Sequence, residues 1–147
     1  MLMLELGYNG VAAVMPPHNR PATPLRILIV EDQPDTAASL AILLRLGGHE
    51  VEVAADGHAA LQKAEAEEPD VVLLDIGLRG MDGYEVAKRL RSGQTGKRPV
   101  LIAVTGYGRE EDRRRCAEAG IHLHMLKPAD PEVLLRLLAA LKSRGQG

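Results

Sequence analysis

The sequence predicts an α/β fold in which five β-strands alternate with five α-helices and pair as one parallel sheet. Short apolar runs rich in Val, Ile and Leu recur along the chain, and each is followed by a longer segment with apolar residues at helical spacing. The run at residues 71–74 contains four consecutive apolar residues, which is typical of a strand buried on both faces. Strict alternation favours right-handed crossovers, with helices on both faces of the sheet.

The composition is that of one domain with an aliphatic core. The chain has 147 residues, of which 46% are hydrophobic, with three Tyr, no Phe and no Trp. A formal net charge of −2 creates no field that attracts nucleic acid or an anionic membrane, so neither is an expected partner. The single cysteine, Cys116, excludes an internal disulfide and a Cys-rich zinc site. No apolar run reaches the roughly 18 residues that span a bilayer, and we expect a cytoplasmic protein.

Two regions differ in their expected order. Residues 1–24 are predicted to be a flexible extension, because prolines crowd near their end and favour an extended chain. An alternative is that apolar residues of this extension dock on a partner or a second copy. Residues 25–147 are predicted to form the single folded domain.

The first two strand–helix units follow from turn and cap signals. Residues 25–30 form the first strand, and Pro34 opens the first helix in a position where its missing N–H breaks no hydrogen bond. Gly47 and Gly48 end that helix. Residues 50–54 alternate like a half-exposed edge strand, and Asp56 is a turn residue before the second helix. The buried stripe of the first helix is expected to be Leu40, Leu43, Leu44 and Leu46.

The remaining units begin with the central strand, residues 71–75. Asp82 precedes the third helix. Residues 99–104 form the fourth strand, residues 109–119 a charged helix, and residues 121–126 the fifth strand. Asp130 caps the last helix, whose apolar face is expected to be Val133, Leu134, Leu137, Leu138 and Leu141.

Polar side chains follow four of the five strands at their carboxyl ends. These are Glu31 and Asp32 after the first strand, Asp75 on the third, Thr105 on the fourth and Lys127 on the fifth. Ligands of open α/β sheets bind outside these ends, where the strand order reverses. In the order 2-1-3-4-5 the first and third strands are neighbours at that point, so three carboxylates converge there.

Three adjacent carboxylates repel one another unless a cation lies between them. Few carboxylates with oxygen ligands suit Mg²⁺ better than Ca²⁺. Lys127 and Thr105 offer a positive charge and a hydroxyl to an anion, which indicates a phosphoryl site. Asp75 itself could be a metal ligand, a nucleophile or a helix N-cap. Glu31 and Asp32 can take over most of the metal binding, and the next helix begins only near Asp82, which excludes capping. The remaining interpretation is a nucleophile that becomes an aspartyl phosphate.

Five short motifs lie on these strand ends in order: Glu31-Asp32, Leu73-Leu74-Asp75-Ile76, Gly80-Met81-Asp82-Gly83-Tyr84-Glu85, Val104-Thr105-Gly106 and Leu126-Lys127-Pro128. Together they resemble the receiver domain of two-component response regulators, over roughly residues 25–144. The resemblance implies a flavodoxin-like fold. It also implies a signalling phosphoacceptor that catalyses only its own phosphorylation and slow dephosphorylation, not a metabolic enzyme.

The resemblance also implies a role for each acidic residue of the site. Asp75 takes a phosphoryl group from a phosphohistidine on a histidine kinase or a histidine phosphotransfer protein. Asp32, Asp75 and the backbone carbonyl of Gly77 hold Mg²⁺, and Glu31 acts largely through a metal-bound water.

The other implied roles concern the phosphate and the switch. Lys127 pairs with a phosphoryl oxygen, and its bond to Pro128 is cis. Thr105 moves to the new phosphate, and a residue on the fifth strand turns inward behind it. The family often has Tyr or Phe there, and His124 is the matching residue. In this family the face of the fourth helix, fifth strand and fifth helix reads out phosphorylation, by homodimerisation or by binding a target.

Three further positions depart from the family pattern or are expected to affect the lifetime of the phosphate. Arg79 stands where a proline is common, which predicts a looser loop. Gly77 and Tyr107, two residues beyond Asp75 and Thr105, flank the path of attacking water in the family. We therefore expect Tyr107 to shield the phosphate and set its lifetime.

Several residues are expected to have structural roles only. His49 and His58 are predicted to be surface residues, and Cys116 a small side chain on a helix. The basic run at residues 113–115 follows an acidic run and is interpreted as a solvated helix face, with partner docking as the alternative.

Two alternative functions remain open. One is a pseudo-receiver, an interaction module that does not accept phosphate. The other is a hydrolase of the haloacid-dehalogenase type, which needs a second Asp where Gly77 stands.

Overall fold

The computed structural model of the chain describes residues 24–78, 80–93, 98–106 and 110–146. The predictions for residues 1–23, for Arg79 and for Tyr107 lie outside the described residues. Within them, five strands and five helices alternate as predicted: β1 Arg26–Val30, α1 Pro34–Leu46, β2 Glu50–Ala54, α2 Gly57–Glu67, β3 Val71–Asp75, α3 Gly83–Ser92, β4 Val100–Thr105, α4 Glu110–Glu118, β5 Leu123–Leu126 and α5 Pro131–Gln146.

All neighbouring strands are parallel, in the order β2-β1-β3-β4-β5. The predicted flavodoxin-like fold and its strand order are therefore confirmed. The register brings the carboxyl ends of the central strands level, since Val30 pairs with Leu74 and Asp75 pairs with Val104. Residues that follow these pairs emerge at one edge of the sheet.

The core lies in two layers because successive strand residues point to opposite faces. One face packs the odd-numbered residues of β1 and β3, such as Ile29 and Leu73, against α1 and α5. The other packs the even-numbered ones, such as Val30 and Leu74, against α2, α3 and α4. All five residues of β3 are buried, as predicted for a central strand.

Aspartates cap three helices. Asp56 Oδ1 accepts from Ala59 N at 2.8 Å, and Asp82 Oδ1 accepts from Glu85 N at 2.8 Å. Asp130 Oδ1 accepts from the first-turn amide of Glu132 at 2.9 Å. Each such cap stabilises its helix by about 1 kcal/mol. Asp56 thus belongs to the start of α2 and not to the acidic site.

The buried faces of α1 and α5 differ from the prediction. On α1 the buried residues are Ala37, Ala41 and Leu44, and Leu40, Leu43 and Leu46 are only partly buried. Two of the three buried residues of α1 are therefore small. On α5 Leu134 and Leu138 are buried, but Val133 is 47% exposed, since it lies off the stripe that those two residues define.

The prediction that His49 is a surface residue is wrong. His49 is buried, and its Nδ1 accepts a hydrogen bond from Leu25 N at 3.3 Å. Burial lowers the pKa of His49 below its ordinary value of 6.5, because the charged ring loses its hydration. His58 is exposed and Cys116 is buried on α4, as expected.

The basic run on α4 is exposed, as predicted for a solvated face. Arg115 also lies over the ring of Tyr84, with its guanidinium carbon 4.1 Å from the ring centroid, and so contacts α3. None of the helices in the described residues is both long enough and apolar enough to cross a membrane.

Candidate functional site

Three carboxylates converge where β1 and β3 end, as predicted. Glu31, Asp32 and Asp75 each offer an oxygen, and these oxygens lie within 4.8 Å of one another. Glu31 and Asp75 are only 6% and 5% exposed. Glu31 N continues the ladder to Ala54 O at 3.0 Å, which fixes the backbone just past β1.

The positively charged side chain of the site belongs to Lys127, the residue that follows β5. Lys127 Nζ lies 2.9 Å from Asp75 Oδ1 and 4.0 Å from Glu31 Oε1. Its backbone N donates to Thr105 O at 2.7 Å, which holds the residue beside β4. From there the side chain extends over β4 towards β3, where it contacts the Asp75 carboxylate. The Lys127–Pro128 peptide bond is cis, as the resemblance implied.

The charged groups of this cluster shift the pKa values of Lys127 and Glu31. Burial alone would lower the pKa of Lys127, but its hydrogen bond and ion pair with Asp75 and the charges of Glu31 and Asp32 outweigh burial and raise it. Desolvation, with the nearby charge of Asp75, raises the pKa of Glu31, against the opposing hydrogen bond from Gln33 N. The site therefore holds more negative charge than it can easily accommodate.

A divalent cation fits this donor set. Three carboxylate oxygens that converge at one point are hard ligands, and Mg²⁺ prefers such oxygens together with waters. Among the described residues no other group of acidic, His or Cys side chains converges in this way. His122 and His124 each use one ring nitrogen in a hydrogen bond, to Leu101 N and to Thr105 Oγ1 respectively.

Asp75 does not cap a helix. Its Oδ1 accepts from Gly77 N at 2.9 Å in the loop after β3, whereas α3 begins at Gly83 and is capped by Asp82. A Cβ atom placed on Gly77 would lie 3.5 Å from Asp75 Oδ1. Position 77 therefore borders the carboxylate directly.

Thr105 and His124 form a hydrogen-bonded pair. Thr105 Oγ1 lies 2.9 Å from His124 Nε2, and Thr105 is 4% exposed. The register explains the contact, because His124 pairs with Ala103 and Leu126 pairs with Thr105. Thr105 and His124 are thus diagonal neighbours on one face of the sheet. The resemblance implied that Thr105 moves to the new phosphate and that His124 then turns inward behind it, and it did not indicate this contact.

A cavity of about 760 Å³, which was not predicted from the sequence, adjoins this cluster. It lies between α1 and the loop before α5, and Leu40 and Leu43 of α1 line it. The scarcity of large rings, three Tyr with no Phe and no Trp, is the one feature of the sequence that favours such a space.

The comparisons with known proteins agree with this geometry. The family model of the response regulator receiver domain matches residues 27–139. A curated relative, the transcriptional regulatory protein TcrA of Mycobacterium tuberculosis, is 40% identical over 121 residues. That match covers 82% of this chain, and the chain spans only 47% of the relative's length.

Two solved structures are similar over almost their whole length. A CheY-like response regulator receiver domain protein from Methanospirillum hungatei JF-1 has a TM-score of 0.77 and 31% identity, covering 84% of this chain and 98% of that one. The receiver domain of the sensor histidine kinase PA1611 from Pseudomonas aeruginosa PAO1 has a magnesium ion coordinated in its active-site cleft. It has a TM-score of 0.74 and 32% identity, covering 82% and 99% of the two chains.

Proposed function

The chain belongs to the response regulator receiver family of two-component systems, and on this premise we propose that it is a Mg²⁺-dependent phosphoacceptor in a cytoplasmic phosphorelay. Asp75 takes a phosphoryl group from a phosphohistidine on a histidine kinase or a histidine phosphotransfer protein. One observation carries the proposal. Asp75 lies both within 4.8 Å of the other two acids and 2.9 Å from Lys127 Nζ, so it joins the metal half of the site to the anion half.

The transfer step uses groups that already face one another. A carboxylate oxygen of Asp75 attacks phosphorus, and the bond from phosphorus to the donor's imidazole nitrogen breaks. Lys127 Nζ, which lies 2.9 Å from Asp75 Oδ1 in the unphosphorylated chain, pairs with a phosphoryl oxygen. Because the site is largely buried, these charge interactions are stronger than they would be in water.

Three carboxylates and one carbonyl would hold the metal: Glu31 through water, and Asp32, Asp75 and the backbone oxygen of Gly77 directly. When bound, Mg²⁺ supplies positive charge to the acids and to the phosphoryl oxygens. The magnesium ion reported for the Pseudomonas aeruginosa receiver domain supports this assignment.

The switch is the pair of Thr105 and His124. A Thr hydroxyl has one proton to donate. If Thr105 donates it to a phosphoryl oxygen, Oγ1 can only accept from His124, whose Nε2 must then carry a hydrogen. Phosphorylation thus selects a ring that carries a hydrogen on Nε2.

The output surface is the face of α4, β5 and α5, which binds a second copy or a target. Its support is the position of Leu126, which pairs with Thr105 in the register and is 54% exposed on an edge strand. Val133 on α5 adds a second exposed apolar side chain, 47% exposed. A shift at Thr105 therefore has a short path to an exposed apolar surface.

The lifetime of the phosphate is assigned to Gly77 and Tyr107. Gly77 borders the Asp75 carboxylate and offers no side chain to exclude water. We assign the shielding of the phosphate to Tyr107, two residues beyond Thr105 in the sequence. No observation favours the pseudo-receiver, because all five matched side chains are present.

Incubation with Mg²⁺ and acetyl phosphate, followed by intact mass spectrometry, tests the proposal. We expect a gain of one phosphoryl group that EDTA abolishes and that Asp75→Asn lacks. Lack of the gain, or its persistence in Asp75→Asn, would falsify the phosphoacceptor function.

A further inference from the structure

The cavity beside the acidic cluster has two chemically different parts. Glu31, Asp75 and Lys127 border it at the carboxyl ends of the strands. Aliphatic side chains line its walls, among them Leu40 and Leu43. Its volume of about 760 Å³ is in the range of small-molecule sites, about 300–1,000 Å³.

We propose that this cavity binds the alkyl chain of an acyl phosphate, so that the protein takes phosphoryl groups directly from acyl phosphates longer than acetyl phosphate. The inference rests on the proposed phosphoacceptor function. The chemistry of the lining supports the choice of ligand. Lys127, with a divalent cation on the three carboxylates, suits the phosphate, and the side chains of Leu40 and Leu43 suit the alkyl chain.

The reaction balances without any further reactant. An oxygen of the Asp75 carboxylate forms a bond to phosphorus, and the bond from phosphorus to the acyl oxygen breaks. The bonding electron pair leaves with the acyl oxygen as a free carboxylate, and no proton or redox equivalent is needed. Because the aspartyl phosphate is itself an acyl phosphate, one bond is exchanged for another of the same kind.

The chain-length dependence follows from burial of methylene groups. Butyryl phosphate has two methylenes more than acetyl phosphate, and the two leaving carboxylates have nearly the same basicity. Burial of two methylenes in the cavity predicts about a tenfold higher kcat/KM for butyryl phosphate. Phosphoramidate has no alkyl chain and should be insensitive to the cavity.

The experiment measures kcat/KM for acetyl phosphate, butyryl phosphate and phosphoramidate with Mg²⁺, in the wild type and two variants. Leu43→Phe places a ring in the cavity and should remove most of the tenfold preference, with little change for phosphoramidate. Ile42→Phe is the matched control, because Ile42 is on the same helix, is 55% exposed and does not line the cavity. It should keep the preference.

A binding measurement makes the inference independent of turnover and of variant folding. Hexylphosphonate should bind the wild type with Mg²⁺ at least ten times more tightly than methylphosphonate, with nuclear Overhauser contacts from its alkyl protons to the Leu43 methyls. Equal kcat/KM for the two acyl phosphates, or equal loss in both variants, would overturn the inference. If no donor phosphorylates the protein, the proposed function fails, and equal affinity for the two phosphonates overturns the cavity site.

Discussion

Thr105 Oγ1 and His124 Nε2 are 2.9 Å apart in the unphosphorylated chain. The threonine hydroxyl and the imidazole therefore interact before any phosphate arrives. A ring of Phe at this position could move only by packing, whereas an imidazole can also follow the hydroxyl proton. Phosphorylation can therefore change which atom, Thr105 Oγ1 or His124 Nε2, carries the shared hydrogen, as well as where the ring lies.

The first prediction concerns the His124 ring. Binding of Mg²⁺ and beryllofluoride, a mimic of the phosphoryl group, should leave a hydrogen on His124 Nε2, because Thr105 then donates its only proton to the mimic. The ¹⁵N chemical shifts of the imidazole report this directly. Thr105→Val supplies the control, since without the hydroxyl the shifts should no longer respond. An unprotonated Nε2 in the wild-type complex would contradict the proposed switch.

The second prediction concerns Lys127. Lys127→Ala should lower the rate of phosphorylation by acetyl phosphate by about 10²-fold or more, because the substitution removes the cation that faces the phosphoryl oxygens. Lys63→Ala is a matched control. The Lys63 and Lys127 side chains are 39% and 38% exposed, but Lys63 pairs with Glu52 on the surface. Similar rates for the two variants would exclude the assigned role of Lys127.

The third prediction concerns the metal. At a free Mg²⁺ concentration 100 times Kd, the free energy of unfolding should rise by about 2.7 kcal/mol. Asp32→Asn should lose this rise and should stabilise the metal-free protein, because one of three adjacent carboxylates becomes neutral. Asp56→Asn should keep the Mg²⁺ response, since Asn caps a helix as well as Asp does. Thermal unfolding with and without Mg²⁺ measures both effects.

The fourth prediction concerns His49 and pH. Its folded-state pKa lies below the unfolded value, so the unfolded state binds the proton first. The free energy of unfolding should therefore be fully retained above about pH 6.5 and fall below it, by at most about 1.4 kcal/mol per pH unit, until the folded-state pKa is passed. Urea titrations between pH 5 and pH 8, with linear extrapolation to zero urea, measure the free energy of unfolding.

Two substitutions isolate His49 from the other histidines. His49→Gln should flatten the pH dependence, because the Gln side chain does not titrate in this range. His58→Gln, at an exposed position, should leave the dependence unchanged. An unaltered slope in His49→Gln would show that another group causes it.

The fold could be predicted because apolar residues recur at different spacings in strands and in helices. The four apolar residues before Asp75 and the polar alternation of β2 identify a central and an edge strand. The strand order then places Glu31, Asp75 and Lys127 at one edge. The buried position of His49 could not be predicted, because a lone His has the same pattern in a core as on a surface.

Two features of the site depend on three-dimensional detail. The Thr105–His124 hydrogen bond depends on the register in which β4 and β5 pair. A slip of one residue would remove it, and composition and spacing do not specify that register. The cavity beside Leu43 depends on how closely α1 and α5 pack on the sheet. A sequence without Phe or Trp indicates that such a space can exist, but not where it lies.

The most direct test of the central claim is the identity of the residue that accepts the phosphoryl group. A purified, phosphorylated histidine phosphotransfer protein is mixed with this protein and Mg²⁺, the product is reduced with borohydride, and its peptides are sequenced by mass spectrometry. Borohydride converts an aspartyl phosphate to homoserine, so we predict homoserine at position 75 only, and none when EDTA is present. Homoserine at another position, or Asp75 recovered unchanged after transfer of the phosphoryl group, would contradict the account.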